Sequence, residues 1–315
     1  MTAPSLESAR TRIAARPTLY PNVLGIGAAK AGTTTLSALL AAHPQVCLPA
    51  QKELNVLRHG NCLERLGEYE DFFAEAGQRP VRLDYSVSYL SSEQATVMAS
   101  ALLPEARLIV MLRNPVDQVQ SHYWHLRRQN FHQWNAVDVA PELPEALDRY
   151  PGLLVEPALY GKHLQRWLSC FGRDRLHVMR FESFRNARTR SLDDLAAFLG
   201  IDPFPVDAAV TDGAGRQGRA GVQPRSAGAE RIYNRLYSMA ARGPYQWLKA
   251  GLGVAFAESL KRRLRLREAA ESLFFREGYE MAGPELRATI LGRFRNDIGL
   301  LEEVTGESFD TWREA

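Results

Sequence analysis

The chain has 315 residues, 45% of them hydrophobic and 24% charged, with a formal net charge of +3. This composition supports a packed core in one large α/β domain or two small ones and excludes wholesale disorder. The mild positive balance lacks the clustered basicity of a nucleic-acid binder and suits a small anionic ligand. Cys47, Cys62 and Cys170 form no CxxC pair, which excludes a zinc knuckle or redox motif; each reads as a small buried hydrophobe in a reducing compartment.

Residues 1–20 form a polar leader without the apolar core of a signal peptide. No run of about 18 apolar residues occurs, so no transmembrane helix is expected and the protein is read as soluble and cytoplasmic. A buried strand over Asn22–Gly27 leads into Ala28-Ala29-Lys30-Ala31-Gly32 and then a helix over Thr33–Ala42, stopped by His43-Pro44. This is the layout of a phosphate-cradling loop at a helix N-terminus. Laid on Gly27 and Gly32, the pattern GxxxxGK[ST] puts Thr33 where Lys is required, and the only Lys lies three residues earlier, at Lys30. Backbone N–H groups, the hydroxyls of Thr33, Thr34 and Thr35, and the helix dipole favour an anion here, with Lys30 as a point charge above the loop.

A short strand is expected at Gln45–Leu48, followed by Lys52-Glu53; a short amphipathic helix within 58–80; a strand at Val81–Tyr85; and a helix at Glu93–Leu103. Arg107–Leu112 is the clearest strand, its run from Leu108 apolar as a parallel strand buried on both faces would be. It ends at Arg113-Asn114-Pro115, where Asn114 can cap and Pro115 can open a helix running to about Arg128. Residues 131–157, with four prolines, read as a loop with a helical piece. Helix, strand and helix follow at Ala158–Phe171, Arg175–Phe181 and around Leu192–Leu199, closed by Gly200. The stretch Thr211–Gly228 interleaves five Gly with Arg216, Arg219 and Arg225. It is either a solvated loop or a basic lid over an anion, with Arg219 the candidate contact. Residues 229–275 are basic, aromatic and helical in character, and peripheral membrane contact is one reading of them. Gly283-Pro284 opens a last helix whose Leu286, Ile290, Phe294, Ile298 and Leu301 share a face. The alternation of strand and helix predicts a parallel sheet flanked by helices.

A triphosphatase would place an Asp at the end of the second strand to hold Mg²⁺. Arg113 stands there instead, repelling a metal and suiting a phosphate, with Ser121 about two turns into the following helix. Two anion sites and no metal site describe a nucleotide phosphorylated at both its 3′ and 5′ positions.

On these residues the chain resembles the sulfotransferases that use 3′-phosphoadenosine 5′-phosphosulfate (PAPS), most of all the branch with heparan sulfate sulfotransferases and their bacterial relatives. The family's 5′-phosphosulfate loop is similar to Gly27–Leu36, and its 3′-phosphate motif to Leu108–Ser121. Its Lys-Glu pair is similar to Lys52-Glu53; Tyr160–Leu168, Phe198-Leu199-Gly200 and Phe294–Trp312 also look like the family. The resemblance implies a P-loop-like α/β sulfotransferase fold, with residues 21–315 as one domain after the leader. It implies PAPS as co-substrate, adenosine 3′,5′-bisphosphate (PAP) as product and no metal. Glu53 is then the base, Lys30 stabilises the leaving group, and Lys30 through Thr35, Arg113, Ser121 and Arg219 bind the nucleotide. The acceptor is a hydroxyl of a small molecule, glycolipid or carbohydrate. Many heparan sulfate enzymes carry a Lys after an acidic residue before a Ser/Thr-Pro step; Asp84-Tyr85-Ser86-Val87 has Tyr and Val there, which points to a smaller or less anionic acceptor. His122 and His125 follow Arg113 on the same helix, where packing or surface roles outweigh a role as base. The alternatives are a P-loop kinase with a degenerate Walker motif, which would need ATP and Mg²⁺, and a non-catalytic nucleotide-binding module, which would have no use for Glu53.

Overall fold

The computed structural model describes residues 5–131, 139–140, 142–205, 222–226, 228, 229, 232, 233, 235, 273–278 and 281–314. The chain divides into two compact units, one of Met1–Val119, Pro151–Gly218 and Gly283–Ala315, the other of Gln120–Tyr150 and Arg219–Ala282.

In the first unit, helix α1 (Leu6–Ala15) precedes strand β1 (Val23–Gly27), helix α2 (Thr33–Ala42) and strand β2 (Val46–Cys47). Next come α3 (Cys62–Phe73), β3 (Val81–Tyr85), α4 (Glu93–Leu102), β4 (Arg107–Leu112) and the start of α5 (Pro115–Phe131). The leader is a docked helix: Arg12 Nε pairs with Glu70 Oε1 on α3 at 2.6 Å, and Arg10 Nε donates to Ala101 O. Asn114 Oδ1 accepts from Val116 N at 3.0 Å, so α5 is capped as its sequence predicts.

The second unit contains the rest of α5, helix α6 (Leu143–Arg149), and an antiparallel pair of strands β6 (Val222–Pro224) and β7 (Phe275–Glu277). Tyr123 donates to Ala140 O, and Gln120 Oε1 accepts from Ala282 N.

The chain re-enters the first unit at α7 (Pro151–Leu154), α8 (Tyr160–Phe171), β5 (Leu176–Arg180), α9 (Phe181–Asn186) and α10 (Arg188–Leu199), and ends in α11 (Pro284–Gly292) and α12 (Arg295–Thr305). The five strands pair in parallel in the order β2-β3-β1-β4-β5. Every residue of β1 is buried, and in β4 only Arg107 is exposed, as uninterrupted apolar strands covered on both faces require. Strand order reverses at β1, and in such sheets ligands bind beyond the carboxyl ends of the strands at that switch point.

Three sequence expectations change. Residues 143–158 are more helical than a proline-rich loop, because Pro144 and Pro151 sit in first helical turns, where a missing N–H costs nothing. The single C-terminal helix is two. Arg293 and Phe294 stay close to helical angles (φ −73° and −111°), so the apolar period runs through the break unaltered. The second helix lies against α8, where a Cβ on Gly161 would stand 2.4 Å from Asp297 O, and Asp297 caps the amides of Gly161 and Lys162. Cys47 and Cys62 are buried, but Cys170 is exposed near the end of α8.

Candidate functional site

The loops after β1, β2, β3, β4 and β5 all open at the same edge of the sheet, and the candidate residues of the first unit gather there. The loop after β1 is shaped by close approach. A Cβ on Gly25 would stand 2.4 Å from the Tyr85 ring, and one on Gly27 2.8 Å from Leu90 Cβ. Gly32, at φ +89°, leaves only 2.7 Å to the Phe181 ring. Ala28 N donates to Met111 O at 2.7 Å, Gln118 Nε2 to Ala29 O at 3.2 Å, and Arg113 Nη1 to Lys30 O at 3.4 Å. The first bond ties the loop to β4, and the other two hold its Ala29 and Lys30 carbonyls toward α5 and the residue after β4. The first N–H groups of a helix have no partner within it, so the start of α2 favours an anion; Thr35 N is already turned to Gly32 O at 3.1 Å. Lys30 is half-buried with φ +65°; Ala31 and Thr33 are buried, Thr35 half-buried and Thr34 exposed.

Arg113 leaves the end of β4 with its guanidinium 5.0 Å from the Phe181 ring centroid. Its Nε is buried and, among the described residues, has no hydrogen-bond partner. Such a donor is costly unless an anion or polar group completes it, so the strand end fits a phosphate. Glu182 Oε1 accepts from Asn114 N at 2.8 Å and so ties the start of α9 to this turn.

Across the edge, Glu53 follows β2 in a left-handed conformation, φ +66°, with Asn55 also left-handed at +55°. Glu53 Oε2 accepts from Val87 N at 2.8 Å, and Oε1 lies 3.6 Å from Lys52 Nζ. Burial is the largest influence on this carboxyl and raises its pKa; Lys52 and the Val87 amide pull the other way. Lys52 Nζ also donates to Thr33 Oγ1 at 3.1 Å. One ammonium therefore touches both the start of α2 and the candidate base.

Asp84, close enough to act on the Glu53 carboxyl, is fully buried. Its Oδ2 accepts from Tyr69 OH and Tyr89 OH, and its Oδ1 from Ser86 Oγ, each at 2.7 Å. Ser86 Oγ accepts from Asn55 N at 3.0 Å, and Tyr89 OH from Leu57 N at 3.2 Å. Asp84 thus holds the backbone that carries Glu53. Sequence reasoning missed this hub, together with Gln118, Phe181 and Glu182. The last two had a signal, lying at the end of a parallel strand.

The structure brings Lys30 through Thr35, Glu53 and Arg113 to one edge of the first unit. Ser121 belongs to the second unit, as do His122 and His125, whose rings meet edge to face at 6.3 Å. Arg219, most of Thr211–Gly228 and most of 229–275 lie outside the described residues. Among the described residues no helix is long and apolar enough to cross a membrane.

Comparison with known proteins gives the family and the fold. The family described as sulfotransferase domain matches residues 21–212, more than half of the chain. The bifunctional heparan sulfate N-deacetylase/N-sulfotransferase 2 of Homo sapiens is 29% identical over 197 residues, covering 58% of this chain and 22% of that protein. The corresponding enzyme 4 of Mus musculus is 28% identical over 196 residues, with the same shares. The chain thus spans about a fifth of the length of these curated relatives. A sulfotransferase from Alicyclobacillus acidocaldarius has a like fold, with a TM-score of 0.60 at 20% identity over 93% of this chain and 99% of that one. The five-stranded parallel sheet is the sulfotransferase fold, and this chain belongs to the sulfotransferase domain family, transferases that move a sulfuryl group.

Proposed function

We propose that the protein moves the sulfuryl group of PAPS to a hydroxyl of a small-molecule, glycolipid or carbohydrate acceptor. PAPS supplies a sulfuryl group on a good leaving phosphate. The α2 N-terminus, Lys30 and residues 31–35 hold the 5′ end of the nucleotide, and Arg113 holds the 3′-phosphate. Glu53 accepts the acceptor's proton as its oxygen bonds to sulfur; the bond from sulfur to the phosphate oxygen breaks, and that oxygen keeps the electron pair. Lys30 offsets the negative charge growing there. The two units act as one sulfotransferase domain.

The observation that carries the reading is the Lys52 bridge between Thr33 Oγ1 and Glu53, which puts a base with a raised pKa within one side chain of the phosphate loop. Tyr85, buried where heparan-type enzymes carry Lys, supports an acceptor of lower charge than heparan sulfate. The test is transfer of label from PAPS bearing labelled sulfate into a panel of hydroxyl and amino acceptors and into a cell extract, with the labelled product identified. Label on a hydroxyl is the expected result. Label on an amine, as the names of the N-sulfotransferase relatives would suggest, overturns the acceptor assignment, and no transfer to any acceptor overturns the activity.

A further inference from the structure

Lys52 has a bridging place in the site but no chemical role so far. Its ammonium lies 3.1 Å from Thr33 Oγ1, 3.6 Å from Glu53 Oε1 and 5.5 Å from the centroid of the Tyr85 ring. The plain account is a surface lysine paired with the neighbouring glutamate. Two features oppose it. The side chain is only 26% exposed, and covering an ammonium to that degree works against its charge, as its lowered pKa reflects. The backbone of Glu53 is also held left-handed by bonds to β3 and the turn after it, so the loop presents both side chains inward by construction.

The position is chemically specific. Thr33 is the first residue of α2, beside the place where a 5′-phosphate meets helix N–H groups. A group carried on that phosphate and attacked by an acceptor in contact with Glu53 must lie between the loop and the carboxylate, and Lys52 Nζ stands between them. An ammonium has three N–H donors. Thr33 takes one, and Glu53 at 3.6 Å is beyond good hydrogen-bond length, so donor capacity is left for a compact anion.

We propose that Lys52 binds the sulfuryl group of the donor nucleotide, a contact that the desulfated nucleotide cannot make. The inference rests on the donor reading above. When the ammonium turns to the sulfuryl oxygens it gives up part of its hold on Glu53, and that carboxylate becomes a stronger base as the donor is bound.

Calorimetric binding of PAPS and of PAP to the full chain and to Lys52→Met tests it without an acceptor. The expected result is a loss of about tenfold in PAPS affinity, the worth of one charge-assisted hydrogen bond, with PAP affinity changed by less than about twofold. Lys52→Arg, which keeps the cation, retains most of the preference. If Lys52→Met shows no cooperative thermal transition, Lys52→Gln is compared in the same way, since it can still bond Thr33. Equal losses for both nucleotides, or no loss for either, overturn the role of Lys52 while leaving the donor reading intact. A wild-type protein that binds neither nucleotide overturns the donor reading and the role of Lys52 with it.

Discussion

The loop after β1 and the loop after β2 face each other across the sheet edge, and each holds non-glycine residues in the left-handed region: Lys30 in one, Glu53 and Asn55 in the other. They are held there by different means. The first is built from backbone, with three glycines that admit Tyr85, Leu90 and Phe181 and a main chain tied to β4, the residue after it and α5. The second is built from side chains, a buried carboxylate collecting three hydroxyls, two of which, Ser86 and Tyr89, in turn hold the amides of Asn55 and Leu57. The loop after β1 is thus fixed by main-chain bonds to its neighbours, whereas the candidate base, Glu53, depends on the bonds of one buried carboxyl remaining satisfied.

That contrast can be broken at several points. Glu53→Gln is expected to lower sulfuryl transfer by 10²–10⁴-fold, the usual contribution of a general base, while PAP binding by calorimetry stays within about twofold of wild type. Equal losses of transfer and PAP affinity would show that the two loops are not separate in function. Asp84→Ala strands the hydroxyls of Tyr69, Tyr89 and Ser86 and should cost about 3 kcal/mol in denaturant unfolding. Transfer should fall further than nucleotide affinity, because the loop that moves carries the base. Gly32→Ala meets both a φ of +89° and the Phe181 ring at 2.7 Å. A cost of about 2 kcal/mol in stability is expected, here with PAP affinity falling as far as transfer. The smallest effect is in pH. Burial raises the Glu53 pKa, so the base is lost at a higher pH as acid is added than for an exposed glutamate. The acid limb of the transfer profile should lie above pH 4.5, the ordinary value; a limb at or below it would mean that the carboxylate is solvated in the working enzyme.

The same contrast explains what could be read from the chain. The loop after β1 is a local pattern, and so are Thr33–Ala42, Val81–Tyr85 and Arg107–Leu112, whose boundaries coincide with the expected ones because apolar runs and their stop signals are adjacent in sequence. Glu53 was legible only through a resemblance. The residues that support it are not neighbours in sequence: Tyr69 reaches Asp84 across 15 positions, and Ser86 reaches Asn55 across 31. No spacing rule links a helix, a strand end and a loop in that way. The break between α11 and α12 was hidden for the opposite reason, a local period that continues through a turn of the chain.

The loop after β1 and Arg113 are together expected to receive a nucleotide phosphorylated at both 3′ and 5′ positions. Thermal unfolding of the full chain with PAP, and separately with ATP and Mg²⁺, tests it most directly. PAP at a hundredfold excess over its Kd should stabilise the protein by about 2.7 kcal/mol, a rise of roughly 5 °C in Tm, while ATP with Mg²⁺ produces little change. Stabilisation by ATP with Mg²⁺ and none by PAP would contradict it.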